Sequence, residues 1–499
     1  MNILKDYLNS AQVSELNHNM LRFAANIDAV AAVNPDIARS IVKELADQRS
    51  HLKLIASENF CSLNVQAALG NWMTDKYAEG SVRGRYYAGC DNVDDIEDTA
   101  RKEAMALFGA EHAYVQPHSG SDANMVAFFA ILRKMVQTPA LEALDVDNVM
   151  ALTDDQWREL RTKMGNQKLL GMHLSSGGHL THGFRTNVSA QLFDIYSYHV
   201  DEDTGLLNYD KIRDMLHEIK PLVFLVGFSA YTRSIDFEKC RQLADEVGAV
   251  LMVDMAHFAG LVAGGALSGK NNPVPYAHIC TTTTHKTLRG PRGGMVLCKA
   301  DFAEYVDKGC PHVLGGPLPH VMAAKALAFK EANTPEFKTY ANKVIENARA
   351  LAAALQEEGL SVQTGGTDNH IVLVDVTPLG LTGRQAETAL RECGATLNRN
   401  TVPYDKLGPW YTSGLRLGTP ALTTLGMGTA EMKQVAAILA KVLKNVQPTT
   451  TVKGGKSKAK YTIDEAVKSE TKKEIKTLLD RFELYPDIDL EFLNKYFNL

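Results

Sequence analysis

Lys286 lies in the run Thr281-Thr-Thr-Thr-His285-Lys286-Thr-Leu-Arg-Gly-Pro-Arg-Gly-Gly294. Four consecutive threonines make a stiff, β-branched strand. The glycines and proline that follow permit close turns. A lysine at the carboxyl end of a strand, in a glycine-rich cleft, loses its proton readily. Desolvation and cationic neighbours, here Arg289 and Arg292, lower its pKa and free the amine for Schiff-base chemistry. A lone lysine is more often a solvated loop residue, so its surroundings decide. Val253-Asp254-Met-Ala-His257 ends an apolar run in an aspartate, upstream of Lys286.

That pairing of lysine and aspartate points to a pyridoxal cofactor. A pyridoxal ring is an electron sink when its ring nitrogen stays protonated, and a facing carboxylate sustains that proton. Each pKa unit the carboxylate adds is worth about 1.4 kcal/mol. In isolation Asp254 reads equally well as a helix N-cap. His118-Ser119-Gly120-Ser121 precedes the helical run DANMVAFFAIL. Small residues opening a helix make an anion site from backbone N–H groups and the helix dipole, the plainer alternative being N-capping by Ser119 or Ser121. No GxxxxGK[ST] run is present, which argues against a P-loop NTPase.

Met172-His-Leu-Ser-Ser-Gly-Gly-His179-Leu-Thr-His182 carries three histidines. A zinc site built on His173, His179 and His182 would need a further carboxylate and outer-shell support, and the loop lacks helical i, i+4 spacing. A planar ring stacked on a cofactor, with glycine amides left free, fits better, and no metal is expected. In Tyr411-Thr-Ser-Gly-Leu-Arg416-Leu-Gly-Thr-Pro an arginine sits between turn residues. Arginine grips a carboxylate bidentately, as an amino-acid substrate requires, although most such arginines are surface residues.

These residues need a frame. From about Gly109 to Lys299 short apolar runs alternate with helical patterns. The strand candidates are Lys168–Leu174, Leu222–Ser229, Ala249–Asp254, Ile279–Thr284 and Gly294–Cys298, with helices such as Tyr209–Ile219 and Phe237–Val247 between them. This alternation predicts an α/β fold with a mostly parallel sheet, and in such sheets ligands sit at the carboxyl ends of the strands. His173, Ser229, Asp254 and His285–Lys286 fall at those ends. Residues 1–75 read as a largely helical arm and 76–333 as the large domain. Residues 334–499 read as a smaller α+β domain, with a helix from Asn333-Thr334-Pro335 through Gln356, a strand at Asn369–Val376 and a helix opened by Thr382. An insertion at 134–166 holds a helix capped by Thr153. The lysine-rich run at 447–461 reads as a polar linker before a helix at Asp464–Phe482.

The chain has 499 residues, net charge −5, 45% hydrophobic and 22% charged residues. This is ordinary for a soluble protein and offers no nucleic-acid or membrane surface. No run approaches the ~18–20 apolar residues of a membrane span, and the N-terminus lacks a signal-peptide pattern. The seven cysteines are scattered without a Cys-x-x-Cys pair, which fits a reducing, cytoplasmic compartment.

Taken together the motifs resemble serine hydroxymethyltransferase, a family of fold-type I pyridoxal-phosphate enzymes. They are LIASEN (54–59), DKYAEG (75–80), RYYAGC (85–90), VQPHSGSDAN (115–124), GGHLTHG (177–183), GFSAY (227–231), VDMAHFAGLVA (253–263), TTTTHKTLRGPRGG (281–294), GGTDNH (365–370) and TSGLRLGTP (412–420). The resemblance covers roughly residues 25–440 and the last helix. It implies a large domain with a mostly parallel seven-stranded sheet and a smaller C-terminal domain. It implies transfer of a hydroxymethyl group between L-serine and tetrahydrofolate, giving glycine and 5,10-methylenetetrahydrofolate.

The resemblance also implies residue roles. Lys286 would carry the cofactor as a Schiff base, Asp254 would face the ring nitrogen and His179 would stack on the ring. Ser119, Gly120 and Ser121 would hold the phosphate, with Ser229 and His257 near the ring's phenolic oxygen. Arg416 would bind the substrate carboxylate, helped by Ser57 and Tyr87, and His285 would tune specificity. Glu79 would act as the acid–base group at the hydroxymethyl end. Tyr77, Glu79 and Tyr87, with Gly315 and Gly316 toward the phosphate, would come from a neighbouring subunit of an obligate homodimer, and a tetramer is compatible with this. Leu174, Gly178, Leu180 and Asn400 would meet the pterin. Asp122, the stretch Cys310–Leu314, Ser175–Ser176 and the 134–166 insertion depart from the usual family pattern. A folate-independent aldolase or amino-acid racemase would use the same carbanion chemistry, and slow racemisation or aldol cleavage is a side activity it allows.

Overall fold

The computed structural model describes residues 3–10, 16–452 and 454–497. Its large domain is built on seven strands: β1 (His112–Tyr114), β2 (Lys168–Met172), β3 (Asp194–Tyr198), β4 (Val223–Gly227), β5 (Val250–Asp254), β6 (Ile279–Thr283) and β7 (Gly294–Cys298). They lie in the order β1-β7-β6-β5-β4-β2-β3. β7 runs antiparallel to both neighbours, while β6, β5, β4, β2 and β3 pair in parallel. All five residues of each of β4, β5, β6 and β7 are buried. Such strands read as continuous apolar runs because helices cover both faces of the sheet. One apolar cluster on the sheet includes Phe224, Leu251 and Phe258. A second includes Phe128, Met252 and Ile279.

Helices Tyr209–Ile219 and Phe237–Val247 form where periodicity placed them. Asn208 and Asp236 cap their N-termini, and Lys220 and Gly248 end them in the left-handed conformation. β2, β4 and β6 end one or two residues before the apolar runs do, while β5 and β7 end where expected. Leu222–Ser229 contracts to Val223–Gly227 because Gly227, at φ +143, turns the chain so that the Ser229 amide donates to Gly177 O at 2.6 Å. β1 and β3 were not foreseen: β1 has three residues, and β3 is a partly exposed edge strand.

The second sheet has strands β8 (Ser361–Val362), β9 (Ile371–Asp375), β10 (Asn398–Asn400) and β11 (Gly414–Gly418), in the order β8-β9-β11-β10, all antiparallel. Helix Pro335–Glu357 begins at the expected Thr334 cap. Thr382 opens helix Gly383–Glu392 with a capping box to Gln385. In the 134–166 segment Thr153 likewise caps Asp154–Gly165. Leu52–Lys53 pairs in parallel with Ala395–Thr396, tying the N-terminal arm to this side of the molecule.

The expected linker at 447–461 is instead a hairpin, Gln447–Thr450 against Lys456–Thr462. Thr382 Oγ1 donates to Lys458 O, and Gln385 Nε2 donates to Ser457 O and Lys460 O. The lysine content pointed to a solvated coil. The alternation in KSKAKYT, half-buried against exposed, is the signal that decides otherwise. Asp464 then caps a helix at Glu465–Leu479, shorter than expected. No helix among the described residues is long and apolar enough to cross a membrane.

Candidate active site

The carboxyl ends of β4, β5 and β6 converge with the N-terminus of helix Gly120–Leu132. Asp254 ends β5. Its Oδ1 accepts from the Ala256 amide at 3.0 Å, and its Oδ2 from Asn124 Nδ2 at 2.9 Å. His182 Nε2 lies 3.2 Å from the same Oδ2. The His179 amide donates to His182 Nδ1, which leaves the proton on Nε2 to be given to Asp254. Burial alone would raise the Asp254 carboxyl, but the His182 and Asn124 hydrogen bonds and the nearby His179 hold it far below the usual carboxylate range. The core therefore contains an ionised carboxylate facing the site.

Lys286 follows β6. Burial pushes its ammonium down to about 8, helped by Arg416 and Arg292 and opposed by Asp254. Asn59, from the LIASEN run, donates to the Lys286 carbonyl at 3.0 Å and to Tyr340 Oη at 2.7 Å, which fixes the lysine's backbone. His285 Nδ1 accepts from the Gly293 amide, and burial pushes this imidazole down to about 3. His179 Nδ1 accepts from the Thr181 amide at 3.2 Å, and burial holds the ring neutral, at about 4. A neutral flat ring with a fixed tautomer can lie on an aromatic cofactor. His257 is buried and stacks on His370 with ring centroids 5.6 Å apart.

Ser119 caps helix Gly120–Leu132 by accepting from the Asp122 amide, and its hydroxyl donates to Asp122 Oδ2. Ser121 is exposed in the first turn. A Cβ on Gly120 would meet Thr283 Cγ2 at 2.7 Å, so glycine lets the helix start press against β6. Arg416 projects from β11; Nη1 donates to Ser229 O at 2.6 Å and Nε to Asn398 Oδ1 at 3.1 Å. Burial pushes this guanidinium down to about 10. No carboxylate lies within ion-pair distance of it among the described residues. Ser57 is brought near β11 because Gly418, which has no room for a Cβ, packs on Ala56.

Around GGHLTHG the chain makes two tight turns, Leu174–Ser176 and Leu180–His182. A Cβ on Gly178 would lie 2.0 Å from Met172 O. Leu180 is 44% exposed, and Asn400 Nδ2 is turned onto Thr401 O. The three histidines do not gather on one point: His173 lies tilted against His199, while His182 meets the His179 ring edge to face and serves Asp254.

Tyr77, Glu79, Tyr87, Gly315 and Gly316 form a separate group. Tyr87 Oη donates to Glu79 Oε2 at 3.2 Å, and the two tyrosine rings meet edge to face at 5.0 Å. A Cβ on Gly316 would touch the Tyr77 ring at 3.5 Å, and His118 Nε2 lies 3.1 Å from Gly316 O. Cys310 joins the two loops: it accepts from the Gly80 amide and donates to Gly315 O at 3.0 Å. This group lies on an exposed face, with Tyr77 59% exposed.

Sequence reasoning missed Asn124, Thr181 and Thr281. Asn124 Nδ2 also donates to Thr181 Oγ1, and Thr281 Oγ1 donates to Asn124 Oδ1 at 2.5 Å. His182 was weighed only as a metal ligand. Asn124, inside an apolar helical run, was the available signal, since a buried amide requires partners.

A pyridoxal phosphate group fits these residues. A buried amine poised near neutrality, an ionised buried carboxylate, a neutral ring and a helix N-terminus match its aldehyde, pyridinium, ring face and phosphate. Arg416 is a buried cation left for a substrate anion. Fold and site together define a pyridoxal-phosphate enzyme of fold type I. The serine hydroxymethyltransferase family model matches residues 30–153 and 161–439. The chain is 58% identical over 494 residues to the serine hydroxymethyltransferase of Treponema pallidum (strain Nichols), covering 99% of this chain and 86% of that one. It is 54% identical over 474 residues to that of Salinispora tropica, covering 95% and 99%. It is 51% identical over 493 residues to that of Chlamydia trachomatis serovar D, covering 98% and 99%. The chain belongs to the serine hydroxymethyltransferase family.

Proposed function

We propose that this protein transfers the hydroxymethyl group of L-serine to tetrahydrofolate, giving glycine, 5,10-methylenetetrahydrofolate and water, and reverses that reaction, as a cytoplasmic enzyme of one-carbon metabolism and glycine biosynthesis. The observation that carries the reading is the juxtaposition of Lys286 with Asp254 and with Arg416, a buried cation that no carboxylate neutralises among the described residues. When bound, pyridoxal phosphate supplies an aldehyde that amines attack and a ring that accepts electron density from a substrate α-carbon.

The chain's own residues do the rest. Lys286 offers a largely desolvated amine to the aldehyde. Asp254, kept ionised by its hydrogen bonds, holds the proton at the ring nitrogen. His179 covers the ring face and excludes water. Ser119, Gly120 and Ser121 would bind the phosphate at the helix N-terminus, with Ser229 and His257 near the ring's phenolic oxygen. Arg416, oriented by Ser229 O and Asn398, binds the serine carboxylate with Ser57 nearby, and His285 shapes the pocket beside the lysine. Glu79 holds and moves the proton at the serine hydroxyl oxygen. Leu174, Gly178, Leu180 and Asn400 form the pterin wall.

The exposed Trp72, Tyr77, Tyr86 and Tyr87 support a homodimer in which Glu79, Tyr77, Tyr87, Gly315 and Gly316 serve the partner's cleft. Exposed apolar patches mark interfaces, and Tyr77 and Tyr87 pack against each other here. The 1–75 arm, the 76–333 large domain and the 334–499 small domain are the corresponding proposed units.

Tetrahydrofolate-dependent conversion of serine to glycine is the test. Turnover unaffected by omitting the folate would replace this reading with a folate-independent aldolase. Arg416→Lys is expected to raise the KM for serine by about 10–100-fold with a smaller change in kcat. Charge-assisted fork bonds are worth roughly 1.5–3 kcal/mol, and steady-state kinetics over a range of serine concentrations measures the effect.

A further inference from the structure

Lys325 lies on helix Pro319–Ala332 and is 1% exposed. Its three N–H groups go to three backbone carbonyls: Val115 O at 2.6 Å, Gly294 O at 2.8 Å and Pro117 O at 3.0 Å. Every acceptor is neutral, and no carboxylate is within ion-pair distance among the described residues. Burying an ammonium without a counter-ion costs several kcal/mol. A neutral donor would serve as a cross-link at lower cost, so the charge itself requires an explanation.

Its position provides one. Val115 and Pro117 lead directly into Ser119–Ser121, and Gly294 begins β7 beyond the Lys286 turn. These two segments are in contact: a Cβ on Gly294 would lie 2.0 Å from Ser119 O and 3.2 Å from the Gly120 amide nitrogen. A Cβ on Gly293 would lie 2.5 Å from Lys325 Cε. Glu97, Asp122 and His285 are the titratable groups that face Lys325 from the adjoining helices and the Lys286 turn. Glu97 is taken by Arg85 and Gln116, and Asp122 accepts from the Ser119 hydroxyl. His285, pushed down to about 3, stays neutral.

We infer that Lys325 is a positioning residue for the cofactor's phosphate: its ammonium clamps the Ser119–Ser121 turn against the start of β7 and sets a buried positive charge behind the phosphate. This rests on the reading of Ser119–Ser121 as the phosphate site. Burial also pushes Lys325 down to about 7, so its proton is held loosely until an anion arrives.

The test compares the affinity of the apoprotein for pyridoxal 5′-phosphate with that for pyridoxal, in the native protein and in Lys325→Met, with folding checked by near-ultraviolet circular dichroism. Lys325→Met is expected to weaken binding of the phosphate form by about 10–100-fold and to leave pyridoxal binding nearly unchanged. Lys325→Arg, which keeps the charge, is expected to retain the preference. Equal loss for both ligands, or none for either, overturns the inference. A native protein that does not prefer the phosphate form overturns the phosphate-site reading instead.

The native protein supplies a second measurement should the variants fail to fold. Its preference for pyridoxal 5′-phosphate over pyridoxal is expected to fall by up to about tenfold per pH unit from about pH 7 toward about pH 9, as Lys325 loses its proton. The phosphate is already a dianion in that range, its second pKa being about 6. A preference that stays flat overturns the role of the charge.

Discussion

Asp254→Asn is expected to lower serine turnover by about 10²–10⁴-fold while leaving the fold intact. The carboxylate is buried on β5 and kept ionised by Asn124, His182 and the Ala256 amide. Removing one partner of a buried charge pair costs about 3–5 kcal/mol, and about 1.4 kcal/mol corresponds to a tenfold rate change. Asparagine keeps one accepting oxygen but sets its N–H₂ against donors from which the other carboxylate oxygen now accepts, so the loss combines that local mismatch with the charge missing at the ring nitrogen. Kinetics with serine and tetrahydrofolate measures the first effect. The pH dependence of the cofactor's absorbance reports the second, a ring nitrogen that loses its proton more easily. Turnover within tenfold of the native protein would remove Asp254 from that role.

Glu79→Gln is expected to cut folate-dependent serine cleavage by about 10²–10⁴-fold, the range of a positioned acid–base group, and to spare cofactor binding. Within the chain Glu79 pairs with Tyr87 on an exposed face. The proposed action on a partner's cleft therefore has its own signature. Mixing Glu79→Gln with Lys286→Ala, each inactive alone, and allowing subunits to exchange restores about a quarter of the native sites if the carboxylate acts across a two-fold interface. Glu79→Gln with native kinetics sinks the assignment; no restoration in the mixture places Glu79 in its own subunit's cleft.

The parts of the fold legible in sequence are those where a local rule and the tertiary packing agree. Tyr209–Ile219 and Phe237–Val247 have a polar cap, an amphipathic face and a left-handed stop, and all three are local. β5 and β7 are apolar runs long enough to be buried strands, β6 is a β-branched threonine strand, and the ends of β5 and β6 placed Asp254 and Lys286. The hairpin at Gln447–Thr462 was obscured by its lysines, because composition outweighed alternation. β1 was too short to leave a period.

The site divides the same way. Lys286, Asp254, His179 and Arg416 were legible because their chemistry is unusual for strand ends and glycine-rich loops. Asn124, His182 and Lys325 were not, because each draws its meaning from partners far along the chain: Asp254 for the first two, and Val115, Pro117 and Gly294 for the third. A buried polar residue announces that it needs partners without naming them. The group around Glu79 was assigned through family resemblance, and it lies on the exposed face that the proposed second subunit would cover.

Covalent capture of the cofactor by Lys286 tests the central claim most directly. The protein incubated with pyridoxal 5′-phosphate, reduced with borohydride and digested should carry one pyridoxyl modification, on the peptide containing Lys286. The rate of capture should rise with pH through about 8, where burial has moved this amine. Modification spread over several surface lysines, or confined to a lysine other than Lys286, would contradict the account.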